Sequence, residues 1–293
     1  MFLSVLFSFV MSIVVAAAPG RSPMVVFDPE IPVQGHLFTI RVEASQGPSL
    51  ASLSGTTGGE ELHFVSVSAG VFESLAPVPI GTSDAVEVSI RVRYSDGTEE
   101  TLAHKVPVQT GSYEHERLTV APRLGGPLRD ADAVRLSRDQ AKAAEVARRA
   151  HDTPRLWSGS PVLPRAARVT SEFGTGRVYN GQVSGRHMGL DLNGDAGDTI
   201  VAPARGVVAL VDEFLLAGNI VYLVHGGGLL SGYFHLSEQL VAVGDTVEAG
   251  TPIGRVGATG RVTGPHLHWV VRYGTTSVDP RSLMTIRPTQ PER

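Results

Sequence analysis

Three short stretches hold the residues best suited to chemistry. Arg186-His187-Met188-Gly189-Leu190-Asp191-Leu192 sets an imidazole four positions before a carboxylate. Read as a strand, positions 187, 189 and 191 share a face, because side chains alternate along extended chain. Glycine at 189 then leaves space between imidazole and carboxylate, so both can reach one cation. Gly264-Pro265-His266-Leu267-His268-Trp269 carries two histidines two apart, again on one strand face, with Leu267 directed to the opposite layer. Tyr233-Phe234-His235-Leu236-Ser237 offers a single histidine at an expected strand end. Imidazole and carboxylate together suit Zn²⁺, and three protein ligands leave a fourth position open for water. Such a water reaches a pKa of about 7 and can attack a peptide carbonyl, with a further unliganded histidine moving the proton.

Each pattern alone is weak. An H-x-H or H-x-x-x-D arises by chance, and a lone histidine such as His235 is more often a hydrogen-bonded structural residue. Their order within one small β region is more specific. His225, in Leu223-Val224-His225-Gly226, reads as structural, and His36, His63, His104 and His115 read as ordinary surface or strand histidines.

The elements that must position these groups are short strands. Between Arg168 and Tyr273 the candidates are 199–201, 206–214, 220–225, 230–235 and 266–273, separated by glycines, with no helical period of useful length. Upstream, Phe38, Ile40 and Val42 alternate with Thr39, Arg41 and Glu43, and Val86, Val88, Ile90, Val92 and Tyr94 alternate with polar residues. That period of two marks strands with one buried face. Ser95-Asp96-Gly97 is a hairpin turn signal before a further strand at 101–108. With shorter candidates near Met24, Leu62 and Leu118, this predicts an immunoglobulin-like sandwich of about seven strands. Between the two regions, Ser137-Arg138-Asp139-Gln140 fits a capping box, followed by an apolar stripe of Ala143, Ala144, Val146, Ala147 and Ala150. Pro154, Pro161 and Pro164 then break the chain.

Composition supports this layout. The 293 residues exceed one ordinary domain, and 33 Gly and 19 Pro with 6% aromatics favour turns and strands. A net charge of -4 without a basic block argues against nucleic acid. The absence of cysteine excludes disulfides, thiolate zinc sites and a cysteine nucleophile. Residues 1–18 are uncharged and apolar and end in Ala16-Ala17-Ala18, the layout of a secretory signal, although no positive residue precedes the core. Pro19 favours cleavage after Ala17, and an uncleaved anchor is the alternative. No later stretch is long and apolar enough to span a bilayer. The expected divisions are a signal at 1–18, a sandwich at 22–122, a linker with a short helix at 123–164, a peptidase domain at 165–285 and a tail at 286–293, in an exported all-β protein of the periplasm or extracellular cell envelope.

From Val169 to Asp279 the chain resembles the lysostaphin-type, or LytM-like, zinc endopeptidases. The likeness runs through Glu172-Phe173-Gly174, His187 to Leu192, Val201-Ala202-Pro203-Ala204-Arg205-Gly206-Val207-Val208 and Gly218-Asn219-Ile220-Val221. It continues through Tyr233 to Ser237, Val243-Gly244-Asp245-Thr246-Val247, Gly257-Ala258-Thr259-Gly260 and Thr263 to Trp269. The resemblance implies one zinc per chain, held by His187, Asp191 and His268. It implies His266 as the general base, and His235 as a partner of the water or of the oxyanion. It implies a mostly antiparallel β domain with a groove over the metal, acting on peptidoglycan peptides, and the sandwich is similar to a domain that precedes the peptidase in some members. Two bonds stay open as the target, a direct stem-peptide cross-link or a glycine bridge, and oligomeric state is open too.

Three rivals stand beside this reading. Degenerate members of the family have lost ligands and activate cell-wall amidases, but all five key positions are intact here. A zinc peptidase acting on ordinary proteins would share the same spacing. Segments such as Gly244-Asp245-Thr246-Val247 resemble biotinyl or lipoyl carrier hairpins, yet no lysine follows Lys142, so nothing could carry the group.

Overall fold

The computed structural model describes residues 22–122, 126–181 and 183–287, with side chains at 183 and 184 left aside. The expected signal at 1–18, and all but the first two residues of the expected tail, lie outside them. Strands dominate, as the alternation predicts. In Ala85–Tyr94 every second residue, from Val86 to Tyr94, is buried and those between are not. The turn after it closes as expected: Gly97 takes a φ of 84°, and Asp96 accepts hydrogen bonds from the Thr98 amide and hydroxyl. Glu99–Pro107 then returns antiparallel.

Two four-stranded antiparallel sheets form the N-terminal part. One runs in the order Met24–Asp28, Leu37–Glu43, Val71–Pro77, Val65–Ser68. The other runs Glu60–Leu62, Leu50–Thr57, Ala85–Tyr94, Glu99–Pro107. Phe38, Ile40 and Val42 of the first share a core with Val88, Ile90 and Val92 of the second. Each such side chain contributes about 1.5–3 kcal/mol when fully buried.

The strand expected near Leu118 belongs elsewhere. His115–Leu118 pairs in parallel with Gly176–Tyr179, which in turn pairs antiparallel with Val183–Arg186. Its own alternation is too short to say which sheet it joins. The helix also differs. It spans Asp130–Asp152 and starts seven residues before the expected cap at Ser137, with no side-chain cap bond. Asp130 and Asp132 in the first turn complement the helix dipole instead; of the expected box, Ser137 and Gln140 are exposed inside the longer helix and Asp139 accepts from the Leu215 amide. Val146, Ala147 and Ala150 pack on Ala209, Ile220, Tyr222 and Leu230, while Ala144 is exposed. No helix among the described residues is long and apolar enough to cross a membrane.

The C-terminal part is built on an eight-stranded sheet in the order Val169–Ser171, Leu190–Asn193, His266–Tyr273, Leu229–Leu236, Gly218–Gly226, Gly206–Phe214, Thr246–Val247, with Thr276–Val278 also against His266–Tyr273. All these pairs are antiparallel. Leu190, Leu192, Leu267, Trp269 and Tyr233 fill one core beneath it. A six-residue helix, Pro280–Thr285, follows, its first turn capped by the Asp279 carboxylate. No apolar period announces so short a helix.

The two parts are bonded to each other. The Asp279 amide donates to the Gly35 carbonyl, and the Leu37 amide donates to the Ser282 hydroxyl. Glu60 accepts from the Thr275 amide and hydroxyl and from the Thr276 hydroxyl. Its other oxygen meets His151 Nε2 at 3.0 Å, and His151 Nδ1 meets His63 Nε2 at 2.8 Å. His63, expected to be unremarkable, is thus one link of a chain joining sandwich, long helix and C-terminal sheet. A cleft of about 770 Å³ opens beside this chain and holds none of the five candidate site residues.

Candidate metal centre and its cleft

His187, Asp191 and His268 converge, their ligand atoms within 4.8 Å of one another. No other such group of three histidines or acids occurs among the described residues. Asp191 lies in the strand Leu190–Asn193, and its register places it directly opposite His268. His187 arrives differently from expectation. It and Gly189 sit in the bend between Val183–Arg186 and Leu190–Asn193, not in one strand. Backbone hydrogen bonds hold His187 beside Gly174 and Thr175: its amide donates to the Thr175 carbonyl, and its carbonyl accepts from the Gly174 amide. Glycine at 189 is needed all the same: a Cβ there would lie 2.7 Å from the His268 ring and from the Trp269 carbonyl oxygen.

The donor atoms are tightly grouped. His187 Nε2 lies 2.9 Å from Asp191 Oδ1 and 2.9 Å from His268 Nδ1, and His268 Nδ1 lies 2.7 Å from Asp191 Oδ1. The outer nitrogen of His187, Nδ1, donates to the Glu172 carbonyl at 2.7 Å. With the ring proton on Nδ1, the lone pair of His187 Nε2 faces the Asp191 carboxylate oxygen. Two acceptors face each other there, an arrangement that a shared cation reconciles. The second oxygen of Asp191 is held by Arg177 at 2.7 Å, which leaves Oδ1 for the shared point. Such outer partners fix ligand orientation in metal sites. Two imidazoles and one carboxylate with one open side fit Zn²⁺.

The electrostatics agree. Burial opposes ionisation of Asp191, but the His187 and His268 rings beside it hold its carboxyl well below the usual range. Burial pushes His268 down to about 4, only partly offset by the neighbouring Asp191. Burial, followed by His268 and His266, also pushes His235 well below the ordinary imidazole value. At neutral pH these two rings are therefore uncharged, as ligation or proton acceptance requires.

Two more histidines face the same space. His266 lies two positions before His268 on the same strand face, its Nε2 3.7 Å from Asp191 Oδ1. Its Nδ1 donates to the Gly264 carbonyl at 2.9 Å, so Nε2 remains an acceptor. His235 is next to last in the strand Leu229–Leu236 and has a φ of 63°, one of two non-glycine residues among those described in the left-handed region. That conformation costs about 1–3 kcal/mol and is often kept where it aims a side chain. Its Nδ1 donates to the Thr259 carbonyl at 2.8 Å, and its ring centroid is 5.0 Å from that of His266. His225 is as expected: Nδ1 bonds the Arg205 carbonyl, Nε2 bonds the Ser231 hydroxyl, and the ring stands apart from the centre.

A cleft of about 240 Å³ joins Asp191, His235 and His266 to Glu116, Arg177, Tyr179 and Arg261. These last four have no motif of their own. Glu116 comes from the strand His115–Leu118 and pairs with Arg177 and the Ser171 hydroxyl. Only the unexpected parallel pairing brings it here. Arg261, in Gly260-Arg261, lies over the Tyr179 ring at 3.9 Å. A cation five residues before His266 was the one available signal.

Comparison with known proteins agrees with this geometry. Residues 185–280 match the model of peptidase family M23. The peptidoglycan DD-endopeptidase ShyC of Vibrio cholerae serotype O1 is 37% identical over 118 residues, 40% of this chain and 27% of the relative. The DD-carboxypeptidase/endopeptidase Mpg of Neisseria meningitidis serogroup B is 38% identical over 102 residues, 35% of this chain and 24% of the relative. The chain thus spans about a quarter of the length of these curated relatives. A crystal structure of a candidate peptidase M23 from Pseudomonas aeruginosa superposes with a TM-score of 0.66 at 26% identity, covering 86% of this chain and 95% of that one. The three convergent side chains, and every strand of their sheet but Val169–Ser171, thus lie within residues 185–280, the segment that is similar to peptidase family M23.

Proposed function

We propose that this protein is an exported zinc metalloendopeptidase that hydrolyses peptide cross-links of bacterial peptidoglycan. The observation that carries the proposal is the arrangement of five side chains. Three offer donor atoms to one point, and two more face it with their outer nitrogens tied back to carbonyls. The names of the curated relatives supply the substrate class. In this reading His187, Asp191 and His268 hold the metal. When bound, zinc supplies Lewis acidity that polarises the scissile carbonyl and acidifies a nearby water. His266 takes the water's proton at Nε2 and delivers it to the leaving amine, the work of a general base and then acid. His235, with Nδ1 committed to Thr259, presents an acceptor at Nε2 and orients the water. That bonding favours the water over the oxyanion as its partner. Arg177 steadies Asp191 so that one oxygen points inward.

The same reading assigns a signal to 1–18, an immunoglobulin-like sandwich to 22–122, a connector to 123–164 and the peptidase domain to 165–285. The sandwich, bonded to the C-terminal sheet through Glu60 and Asp279, sets the approach to the groove. The test is incubation of purified protein with peptidoglycan sacculi, with and without a chelator, and mass spectrometry of released muropeptides. Release that stops with chelator and in His266→Ala, while His266→Ala still carries zinc, is the expected result. Normal release by His266→Ala would overturn the assignment of the base.

A further inference from the structure

Charges in the catalytic cleft do not cancel evenly. Its lining carries two guanidiniums, Arg177 and Arg261, and two carboxylates, Glu116 and Asp191. Both carboxylates are engaged by Arg177. Arg261 has no acidic partner among the described residues; its neighbours are the ring and hydroxyl of Tyr179 and the like charge of Arg177. It is also substantially desolvated, which, together with Arg177, lowers its pKa. A guanidinium partly withdrawn from water and left without an anion carries a cost that a bound anion relieves. The stacking on Tyr179 holds the planar fork in place, so little freedom is lost when it binds. A divalent cation at the neighbouring triad makes the cleft still more positive.

We infer that Arg261 is a specificity residue that receives a free carboxylate of the substrate peptide next to the scissile amide. The inference rests on the peptidase reading above and decides between the two bonds left open. Direct cross-links between stem peptides carry such carboxylates, whereas a glycine bridge offers only neutral amides around its scissile bond. The carboxylate accepts two parallel hydrogen bonds from the guanidinium, a geometry that lysine cannot reproduce. The cleft thus selects acidic stem-peptide cross-links over glycine bridges.

The test uses two cross-linked stem peptides, identical except that one carboxylate beside the scissile amide is free in one and capped as carboxamide in the other. Wild-type protein is expected to favour the acid in kcat/KM by about tenfold to hundredfold, the usual worth of a hydrogen-bonded charge pair. Arg261→Gln should bring that preference close to parity, and Arg261→Lys should leave part of it. Thermal melts check that the variants fold, and if Arg261→Gln does not, Arg261→Lys alone still decides. Equal use of both peptides by wild type, or an unchanged preference in either variant, would overturn the inference. Calorimetry on zinc-loaded His266→Ala protein separates this result from the parent reading. If wild type cleaves neither peptide yet His266→Ala binds the acid more tightly, and adding Arg261→Gln removes that difference, the hydrolase reading fails and the carboxylate site stands. Equal binding of the two peptides removes the site whatever the activity.

Discussion

Two clusters in this molecule are made of the same parts, two histidines and one carboxylate, and they do different things. In the metal centre, His187, Asp191 and His268 each aim one atom at a shared point, 2.7 to 2.9 Å from the others. At the junction of sandwich, helix and sheet, Glu60, His151 and His63 stand in line, and His151 uses both ring nitrogens, one toward each neighbour. A neutral imidazole has one donor and one acceptor, so a line of three satisfies itself without an ion. In the convergent set His187 already donates its ring proton to the Glu172 carbonyl, so its inward lone pair faces the Asp191 oxygen with no proton between them. Composition and proximity are thus insufficient to identify a metal site; which nitrogen faces inward, and what holds the other, decides.

The contrast is broken most sharply by removing a member from each cluster. His187→Ala or Asp191→Ala is expected to abolish both stoichiometric zinc and peptidoglycan hydrolysis, read by elemental analysis and muropeptide release. His63→Ala should retain full zinc content. Next in size is Arg177→Ala, which frees the second oxygen of Asp191 and removes a partner of Glu116. Zinc affinity, measured by chelator competition, should fall by about 10–100-fold. An unchanged affinity would show that Asp191 needs no outer support. Glu60→Ala leaves His151 and the Thr275 and Thr276 donors without their acceptor. A loss of about 1–3 kcal/mol in chemical denaturation is expected, with zinc content unaffected.

Acidity sharpens the comparison further. Hydrogen bonds with His151, Thr275 and Thr276 outweigh burial and bring Glu60 down to about 2. A carboxyl with a depressed folded pKa contributes its stability above its unfolded value, near 4.5, and loses it as pH falls toward 2. His225 acts in a different window. Burial holds it neutral down to about 4. Its unfolded form already takes a proton near 6.5, so its contribution is full above that value and declines as pH falls toward 4. Melting temperature followed from pH 7 to pH 4 should therefore fall, and His225→Gln, less stable at pH 7, should fall less steeply. Parallel slopes would show that His225 does not govern this window.

Much of the site was legible because it lies in continuous motifs. His266 and His268 share a strand face for the reason their spacing implies, whereas Gly189 is small to make room for the His268 ring and the Trp269 carbonyl rather than between His187 and Asp191. The path of His187 was not legible, since the residue lies between two short strands and is held there by the backbone of Gly174 and Thr175. Arg177, Glu116 and Arg261 were missed because they reach the cleft through a hairpin, a parallel pairing and a loop. Those are decided by long-range partners. In the fold, long alternating runs such as Ala85–Tyr94 declared themselves, whereas four residues at His115–Leu118 could not announce which sheet they join. The helix start at Asp130 was hidden for a similar reason, since the motif at Ser137 satisfied a local rule that the longer helix had no need of.

The crossing of His115–Leu118 bears on how the protein can be dissected. An expression fragment cut at the linker would begin after Glu116 and lose a neighbour of Arg177. The hairpin edge from Gly176 to Tyr179 would be left bare, open to pairing with other copies. Weak turnover or clumping of such a fragment would then report a missing wall rather than a poor catalyst, and excision upstream of residue 112 would keep that wall in place.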